Sequence, residues 1–151
     1  RQGDHNIMSE SSGASDYLER STLEHFFGVA DHKPPTELSI SLHEDDPGED
    51  NSGNNELTEP GYEKVVIKNL PDNVAIGVDE EGYSLSFGVP VTFEATSDWG
   101  QPPLWAACTN DNNEMLYCVK LEDTETGGEL PPLKQGQILE FTSENFKFKM
   151  E

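Results

Sequence analysis

The sequence predicts a mainly β protein, an antiparallel β-sandwich of jelly-roll type with one short N-terminal helix. Apolar and polar residues alternate in several short runs after residue 35, as expected for strands with one buried face. The 13 glycines and 10 prolines are many for a helical protein and indicate frequent turns. A length of 151 residues corresponds to one domain, which we place at residues 15–151.

The chain begins with a polar segment followed by a helix. Residues 1–14 carry no periodic apolar pattern and are predicted to form a flexible N-terminal arm. Asp16 is suited to cap a helix, and Glu19 three residues later completes a capping box that satisfies free backbone N–H groups. Gly28 and the pair Pro34–Pro35 predict the end of this helix after about three turns. Its apolar stripe at helical spacing consists of Leu18, Thr22 and Phe26, flanked by Leu23 and Phe27.

Short strands are predicted along the rest of the chain. The longest alternating run covers residues 83–95, where Gly88 and Pro90 predict a bend or an edge position rather than one unbroken strand. A hairpin is predicted over residues 104–119, because the side chains of residues 110–113 (NDNN) tolerate turn dihedral angles. The other predicted strands lie at residues 38–42, 65–67, 74–78, 138–141 and 146–150.

The predicted hairpin places the two cysteines on opposite faces. With a turn at residues 110–113, Cys108 is expected to face Met115, and Trp105 to face Cys118. Since side chains alternate along a strand, the two thiols would point in opposite directions and lie too far apart for a disulfide. Two free thiols are expected, Cys108 buried and Cys118 more accessible unless another layer covers it. The predicted core face consists of Leu104, Ala106, Cys108, Met115, Tyr117 and Val119.

Charge and motif content exclude several classes of function. The chain has 30 acidic and 9 basic residues, a net charge of −21, so neither nucleic acid nor an anionic membrane is expected as a partner. It contains no Gly-x-Ser-x-Gly elbow, no phosphate-binding glycine loop and no His–Cys spacing typical of zinc. We therefore expect a protein that is not an enzyme and that requires no cofactor.

The strongest acidic run lies in residues 43–62 (HEDDPGEDNSGNNELTEPGY), here called the acidic loop. Asp45, Asp46 and Asp50 are candidate calcium ligands, because calcium prefers several carboxylate oxygens. The spacing departs from the EF-hand pattern, which requires a glycine at its sixth position and a glutamate at its twelfth. A solvated loop that binds no metal is favoured, since most charge runs are simply exposed.

Trp99 and Trp105 flank a turn-like segment, residues 100–103 (GQPP). Two tryptophans in such a setting are typical of a glycan-binding platform. The other interpretation is that one or both seal the end of the sandwich, where a large aromatic ring covers the core. The second interpretation is favoured.

Several short motifs follow one another in a distinctive order over residues 15–150. They are the helix at residues 16–27, HEDDPG at 43–48, NE at 55–56 before GY at 61–62, SDWG at 97–100, the hairpin at 104–121 and GQILEF at 136–141. In this order and spacing the chain resembles a family of small tailed-phage virion proteins that are labelled as tail-fibre or decoration proteins. It departs from that family in having TEPG at residues 58–61, where members carry several glycines, and in its two cysteines.

The resemblance implies a structural component of a phage particle, synthesised in the cytoplasm of the bacterial host. One placement is a capsid decoration (cement) protein on the exterior of the expanded head. Its partners would be the major capsid protein and other copies of itself about a capsid symmetry axis, with a trimer favoured. The other placement is a tail-associated fibre head that binds a host glycan or receptor. Decoration is favoured because the sequence shows no coiled-coil shaft or collagen-like repeat.

Contacts with the capsid or with other copies are expected from the N-terminal arm and the acidic loop. The candidate residues for these contacts are Arg1, Ile7, Met8, Pro47 and Tyr62. In the alternative function, the glycan platform would consist of Trp99 and Trp105.

Overall fold

The computed structural model describes residues 7–50, 54–143 and 145–149. Within these residues the chain forms ten strands and two helices, and all paired strands are antiparallel. In chain order the elements are β1 (Ile7–Ala14), α1 (Asp16–Phe26), β2 (Leu38–His43), β3 (Val65–Ile67), α2 (Leu70–Asn73), β4 (Val74–Asp79), β5 (Gly82–Phe87), β6 (Val91–Glu94), β7 (Trp105–Thr109), β8 (Met115–Asp123), β9 (Ile138–Phe141) and β10 (Phe148–Lys149). The predicted mainly β fold with one short N-terminal helix is confirmed.

Three sheets share one hydrophobic core in a sandwich-like arrangement. A five-stranded sheet has the order β1-β8-β7-β2-β3, a three-stranded sheet the order β10-β5-β4, and a two-stranded sheet pairs β6 with β9. Ile40 of β2, Phe87 of β5 and Phe141 of β9 all belong to the same buried cluster. Phe141 also stacks on Phe146 with ring centroids 4.2 Å apart, so aromatic rings fill the centre of this core.

The polar N-terminal segment contains a strand, which corrects the predicted arm. Residues 7–14 form β1 and pair with β8, from Ile7 opposite Asp123 to Ala14 opposite Tyr117. Residues 7–14 show no apolar alternation, because backbone hydrogen bonds to the edge of β8 define this strand and require no side-chain pattern. Residues 1–6, including the contact candidate Arg1, lie outside the described residues.

The N-cap of helix α1 is one residue earlier than predicted. Ser15 rather than Asp16 is the N-cap, and its Oγ accepts a hydrogen bond from the Leu18 N–H at 3.1 Å. The Ser15 hydroxyl also donates to the carbonyl oxygen of Met115, which anchors the helix start to β8. The helix ends before Gly28, whose φ of 77° suits a residue without a Cβ atom. Most of the predicted apolar stripe faces solvent, since only Leu18 among its members packs against the core.

The hairpin of β7 and β8 forms as predicted, but its register differs by two residues. Cys108 lies opposite Tyr117, Ala107 opposite Cys118, and Trp105 opposite Lys120. A displacement by two preserves the alternation of side chains, so the cysteines still occupy opposite faces. Both cysteines are free thiols, as predicted.

One detail of the hairpin prediction is wrong, and another is decided by a covering layer. A bulge between Cys108 and Thr109 moves Met115 to the outer face, where it joins a small second cluster with Ala107 and Cys118. Cys118 was expected to be the more accessible thiol unless another layer covered it, and its residue is only 8% exposed. The acidic loop supplies the covering layer.

The long alternating run at residues 83–95 is divided between two sheets, in agreement with the bend predicted from Gly88 and Pro90. β5 ends at Phe87 and β6 begins at Val91, and the two strands belong to different sheets. Gly88 and Pro90 stand in the intervening bend, where the N–H of Gly88 donates to the carbonyl of Asn73 at 2.8 Å. Among the residues that the structure describes, no helix is long and apolar enough to cross a bilayer.

Candidate functional site

The acidic loop packs against the outer face of the five-stranded sheet. Pro47 is buried, and the carbonyl oxygen of Gly48 lies 3.9 Å from the Cys118 sulfur. The backbone N–H of Asp16 donates to the carbonyl of Glu49 at 3.0 Å, which joins the loop to the start of α1. Burial, together with the nearby carboxylates of the loop, raises the pKa of Cys118 to about 11. The loop therefore acts as a cover for this face rather than as a freely solvated segment.

The candidate calcium ligands of this loop bind its own backbone. Asp45 Oδ1 accepts the N–H of Asp46 at 2.8 Å, and Asp46 Oδ1 accepts the N–H of Gly48 at 2.8 Å. Such bonds are typical of aspartates that stabilise tight turns. Over residues 7–50, 54–143 and 145–149, no three His, Cys, Asp or Glu side chains come together as a metal site. The calcium hypothesis, including Asp50, therefore gains no ligand set from the described residues.

A buried serine–histidine pair lies beneath the loop. His43 is 1% exposed, and its Nδ1 donates to the carbonyl oxygen of Asn54 at 2.7 Å. Because Nδ1 carries this proton, Nε2 is free to accept the hydroxyl of Ser41 at 2.8 Å. Burial lowers the pKa of His43, and the Asn54 carbonyl and Glu56 oppose that shift only partly.

The geometry of this pair is that of a nucleophile and its base, but its surroundings are those of a structural contact. Ser41 is itself buried, so a substrate has no path to its hydroxyl. The pair connects β2 to Asn54 and so fixes the far end of the loop. Sequence reasoning missed it, although Ser41 lies in the strand predicted at residues 38–42 and His43 continues its alternation, which is the signal that could have shown the pair.

Tyr62, a predicted contact residue, connects the acidic loop to the core. Its hydroxyl donates to Glu56 Oε2 at 2.6 Å and accepts the N–H of Leu42 at 3.0 Å. Its ring stacks on Phe93 with centroids 5.9 Å apart. Burial and the Glu56 carboxylate raise the pKa of Tyr62 well above its usual value, so the hydroxyl stays protonated as a donor.

Gly61 permits this position of Tyr62. Its φ is +81°, and a Cβ atom there would lie 2.7 Å from Thr96 Cγ2 and 2.8 Å from the Glu94 carbonyl oxygen. No larger residue fits between the loop and β6 without moving the backbone.

The two tryptophans lie in different environments and form no common platform. Trp99 is 4% exposed in the main core, and its Nε1 donates to the carbonyl of Pro60 at 2.8 Å. Trp105 is half-buried and packs against the second cluster on the outer face of the sheet. Trp99 thus has the contacts of a residue that seals the core, and it presents no ring face to solvent.

The remaining contact candidates lie in β1 and in the acidic loop. Ile7 and Met8 lie opposite Asp123 and Glu122 in the β1–β8 ladder, and Pro47 is a buried residue of the acidic loop. Large apolar side chains are exposed elsewhere, on α1 and the segment after it and on the hairpin of β4 and β5. A groove with two adjoining cavities, of about 230 Å³ and about 300 Å³, lies between these regions, and both cavities are lined by Leu18 and Leu116.

Comparison with known proteins identifies a family that the chain matches. A family model described as podophage GP4 fiber I protein gp80 matches residues 13–135, from the end of β1 to the segment before β9. The chain belongs to this family. The resemblance to tailed-phage structural proteins is confirmed, and with it a structural role in the virion. Neither the search of curated proteins nor that of solved structures gave a match.

Proposed function

We propose that the protein is a structural component of the phage fibre assembly. The observation that carries this proposal is the match of residues 13–135 to a family whose description names a fibre protein. The acidic loop supports a structural role, because Asp45, Asp46 and Glu56 accept hydrogen bonds from within the molecule. His43 Nδ1 binds the Asn54 carbonyl and the Tyr62 hydroxyl binds Glu56, so these polar groups are used within the molecule.

A catalytic role and a sugar-binding role through the tryptophans receive no such support. Ser41 and His43 are both buried, which argues against their use as nucleophile and base. Trp99 packs against the core, so only Trp105 retains part of its ring surface for a glycan. We therefore propose that the protein is not an enzyme and that its contacts are with other virion proteins.

Decoration of the expanded head is the second candidate. One observation favours it: in the described part of the chain the longest helix is α1, with 11 residues, and the other elements form one β body. A compact body of this kind can bind over a junction of major capsid subunits without a shaft. Its partners would then be the major capsid protein and neighbouring copies.

The location of the chain in its virion tests the two candidates. The particle is reconstructed by electron microscopy, once as isolated and once with a Fab fragment bound to the protein. Purified protein is also incubated with separated heads and tails, and its binding to each fraction is measured. Density and binding confined to the fibres support the proposal. Density on the head exterior, with binding to expanded heads, would establish decoration and refute the fibre role.

A glycan array provides the control for host recognition. The intact protein and a Trp105→Ala variant are compared on the same array. No binding by either protein is the expected result. A glycan signal that disappears in the variant would contradict a purely structural function.

A further inference from the structure

Strand β4 is exposed on both of its faces. Residues 75–79 are all exposed, and the exposed fractions of Ile76 and Val78 are 70% and 66%. A strand of an antiparallel sandwich normally buries one face against the opposite sheet. Here Ile76 borders a cavity of about 300 Å³ that is lined mainly by apolar side chains, among them Tyr83 and Leu85. The hairpin of β4 and β5 therefore extends beyond the core with apolar groups that the described chain leaves uncovered.

The outer edge of β4 has no neighbouring strand in the described part of the chain. The three-stranded sheet has the order β10-β5-β4, so β5 occupies only one side of β4. Two other outer strands have neighbours across the sandwich, since β1 lies beside β10 and β3 lies beside β6. The sequence of β4, VAIGVD, contains neither lysine nor proline, and its ladder with β5 contains no bulge. Lysine, proline and bulges commonly prevent an outer strand from pairing with another chain, and β4 has none of these three.

The ladder with β5 shows which backbone groups of β4 are directed outward. Asp79 and Gly82 are separated by a two-residue turn and close the hairpin with mutual backbone hydrogen bonds. Bonded and non-bonded pairs alternate in an antiparallel ladder, so Gly77 is the next residue of β4 that is bonded to β5. The N–H and C=O groups of Ile76 and Val78 are therefore directed towards the open edge, where a further strand can bind them.

The end of the hairpin determines the charge of a suitable partner. Residues 79–81 are Asp-Glu-Glu, and one basic side chain, that of Lys149, contacts Glu81. Residues 68–73, at the other end of β4, include one lysine and one aspartate, so negative charge is concentrated at the hairpin end of the open edge. The whole chain carries a net charge of −21, so a second copy would be repelled and a basic segment attracted.

We propose that β4 is a docking site for a β-strand of a partner protein, which extends the three-stranded sheet by one strand. The partner strand carries lysine or arginine at the end beside residues 79–81 and apolar residues at alternate positions. Its backbone bonds to Ile76 and Val78, and its apolar side chains extend the face that Val78 shares with Tyr83 of β5. The inference goes beyond the proposed function and holds for either placement in the virion.

Binding of a synthetic peptide to the intact chain tests this site. The probe is the acetylated and amidated peptide KKVTVTVT, whose two lysines reach residues 79–81 when it pairs antiparallel to β4. The charge control is the peptide EEVTVTVT. Fluorescence anisotropy is expected to give a dissociation constant lower by about tenfold or more for KKVTVTVT than for EEVTVTVT. Equal affinities, or no binding of KKVTVTVT at about 1 mM, would overturn the proposal.

Two N-methylated forms of KKVTVTVT separate strand pairing from attraction by charge alone. One form is methylated at the backbone nitrogen of its fourth residue, and the other at that of its fifth residue. Successive N–H groups of a strand are directed to opposite sides, so only one of the two forms loses a hydrogen bond to β4. Their side chains and charge are identical, and their dissociation constants are expected to differ by about tenfold or more. Equal dissociation constants would show that no strand is added, and the proposal would fail.

Amide hydrogen exchange measured by NMR locates the bound peptide. In the free chain the N–H groups of Ile76 and Val78 are expected to exchange rapidly, because neither is bonded to β5. Bound KKVTVTVT is expected to slow their exchange by about tenfold or more and to leave Val66 of β3 unchanged. Slowing that is confined to other parts of the chain would place the peptide elsewhere and would contradict the proposal.

A lysine on the open edge gives an independent measurement. Val78→Lys places a positive charge beside the lysines of the peptide and is expected to raise its dissociation constant by about tenfold or more. Val66→Lys is the matched control, because it makes the same charge change at a valine that is 47% exposed on another outer strand, β3. Circular dichroism verifies that both variants remain folded. If the two variants weaken binding equally, net charge rather than this edge governs binding, and the proposal is wrong.

Discussion

Replacing Trp99 tests whether this residue seals the core or is available to bind a glycan. Trp99 is 4% exposed, lies edge-on to Tyr62 with centroids 6.4 Å apart, and donates its indole N–H to Pro60. Loss of such a side chain to alanine costs about 3–5 kcal/mol of unfolding free energy. Trp99→Phe retains an aromatic ring but removes the indole donor, while the Pro60 carbonyl keeps the Thr96 N–H at 3.3 Å, so a loss of about 1 kcal/mol is expected.

Urea unfolding followed by far-ultraviolet circular dichroism measures these losses. With a slope of about 2 kcal/mol per molar urea, Trp99→Ala is expected to lower the midpoint by about 2 M. Trp105→Ala, at a half-buried site, is the matched control and is expected to cost less. If the free energy of unfolding of Trp99→Ala lay within about 1 kcal/mol of the parent value, the sealing role would be refuted, because loss of a buried indole destabilises a core by more than that.

Three further predictions concern buried groups and the first strand. His43 has a lowered pKa in the folded state, so its contribution to the free energy of unfolding is complete above pH 6.5. Below that pH the contribution decreases, by at most about 1.4 kcal/mol per pH unit, because the unfolded state binds the proton more readily. In denaturation curves measured over this pH range, His43→Gln should lack this pH-dependent loss. Cys108 and Cys118 should both react slowly with a thiol reagent in the native protein, since burial raises their pKa values to about 12 and about 11, and mass measurement after denaturation should find two free thiols; rapid native labelling of Cys118 would show that the loop does not cover it. Deleting residues 1–6 should leave the melting temperature nearly unchanged, whereas deleting residues 1–14 should lower it by several degrees, because β8 then keeps only β7 of its two partner strands; equal melting temperatures would contradict the pairing.

Period-two alternation made the strands of the core predictable. Ile40 and Leu42 of β2, and Val91 and Phe93 of β6, alternate because one face of each strand is buried. The break after Phe87 was also predictable, since glycine and proline interrupt the ladder. These features depend on local chemistry, which a sequence shows directly.

Features that depend on distant partners were not predictable from the same patterns. β1 is specified by an open edge of β8, and nothing in IMSESSGA records that edge. The bulge beside Cys108 shifts the hairpin register, and turn propensity alone does not encode it. The polar network of His43 and Tyr62 combines residues from the loop and the sheet, so only the folded chain brings them together.

The pairing of β1 with β8 has a consequence for synthesis of the protein. Ser15 hydrogen-bonds to Met115, 100 residues further along the chain. At bacterial translation rates this separation corresponds to roughly 5 to 20 s, during which the first strand has no partner. The five-stranded sheet can close only after most of the chain has left the ribosome. Nascent chains shorter than residue 115 therefore expose β2 and β7 with an incomplete core, and the host's chaperones are the natural protection for that interval.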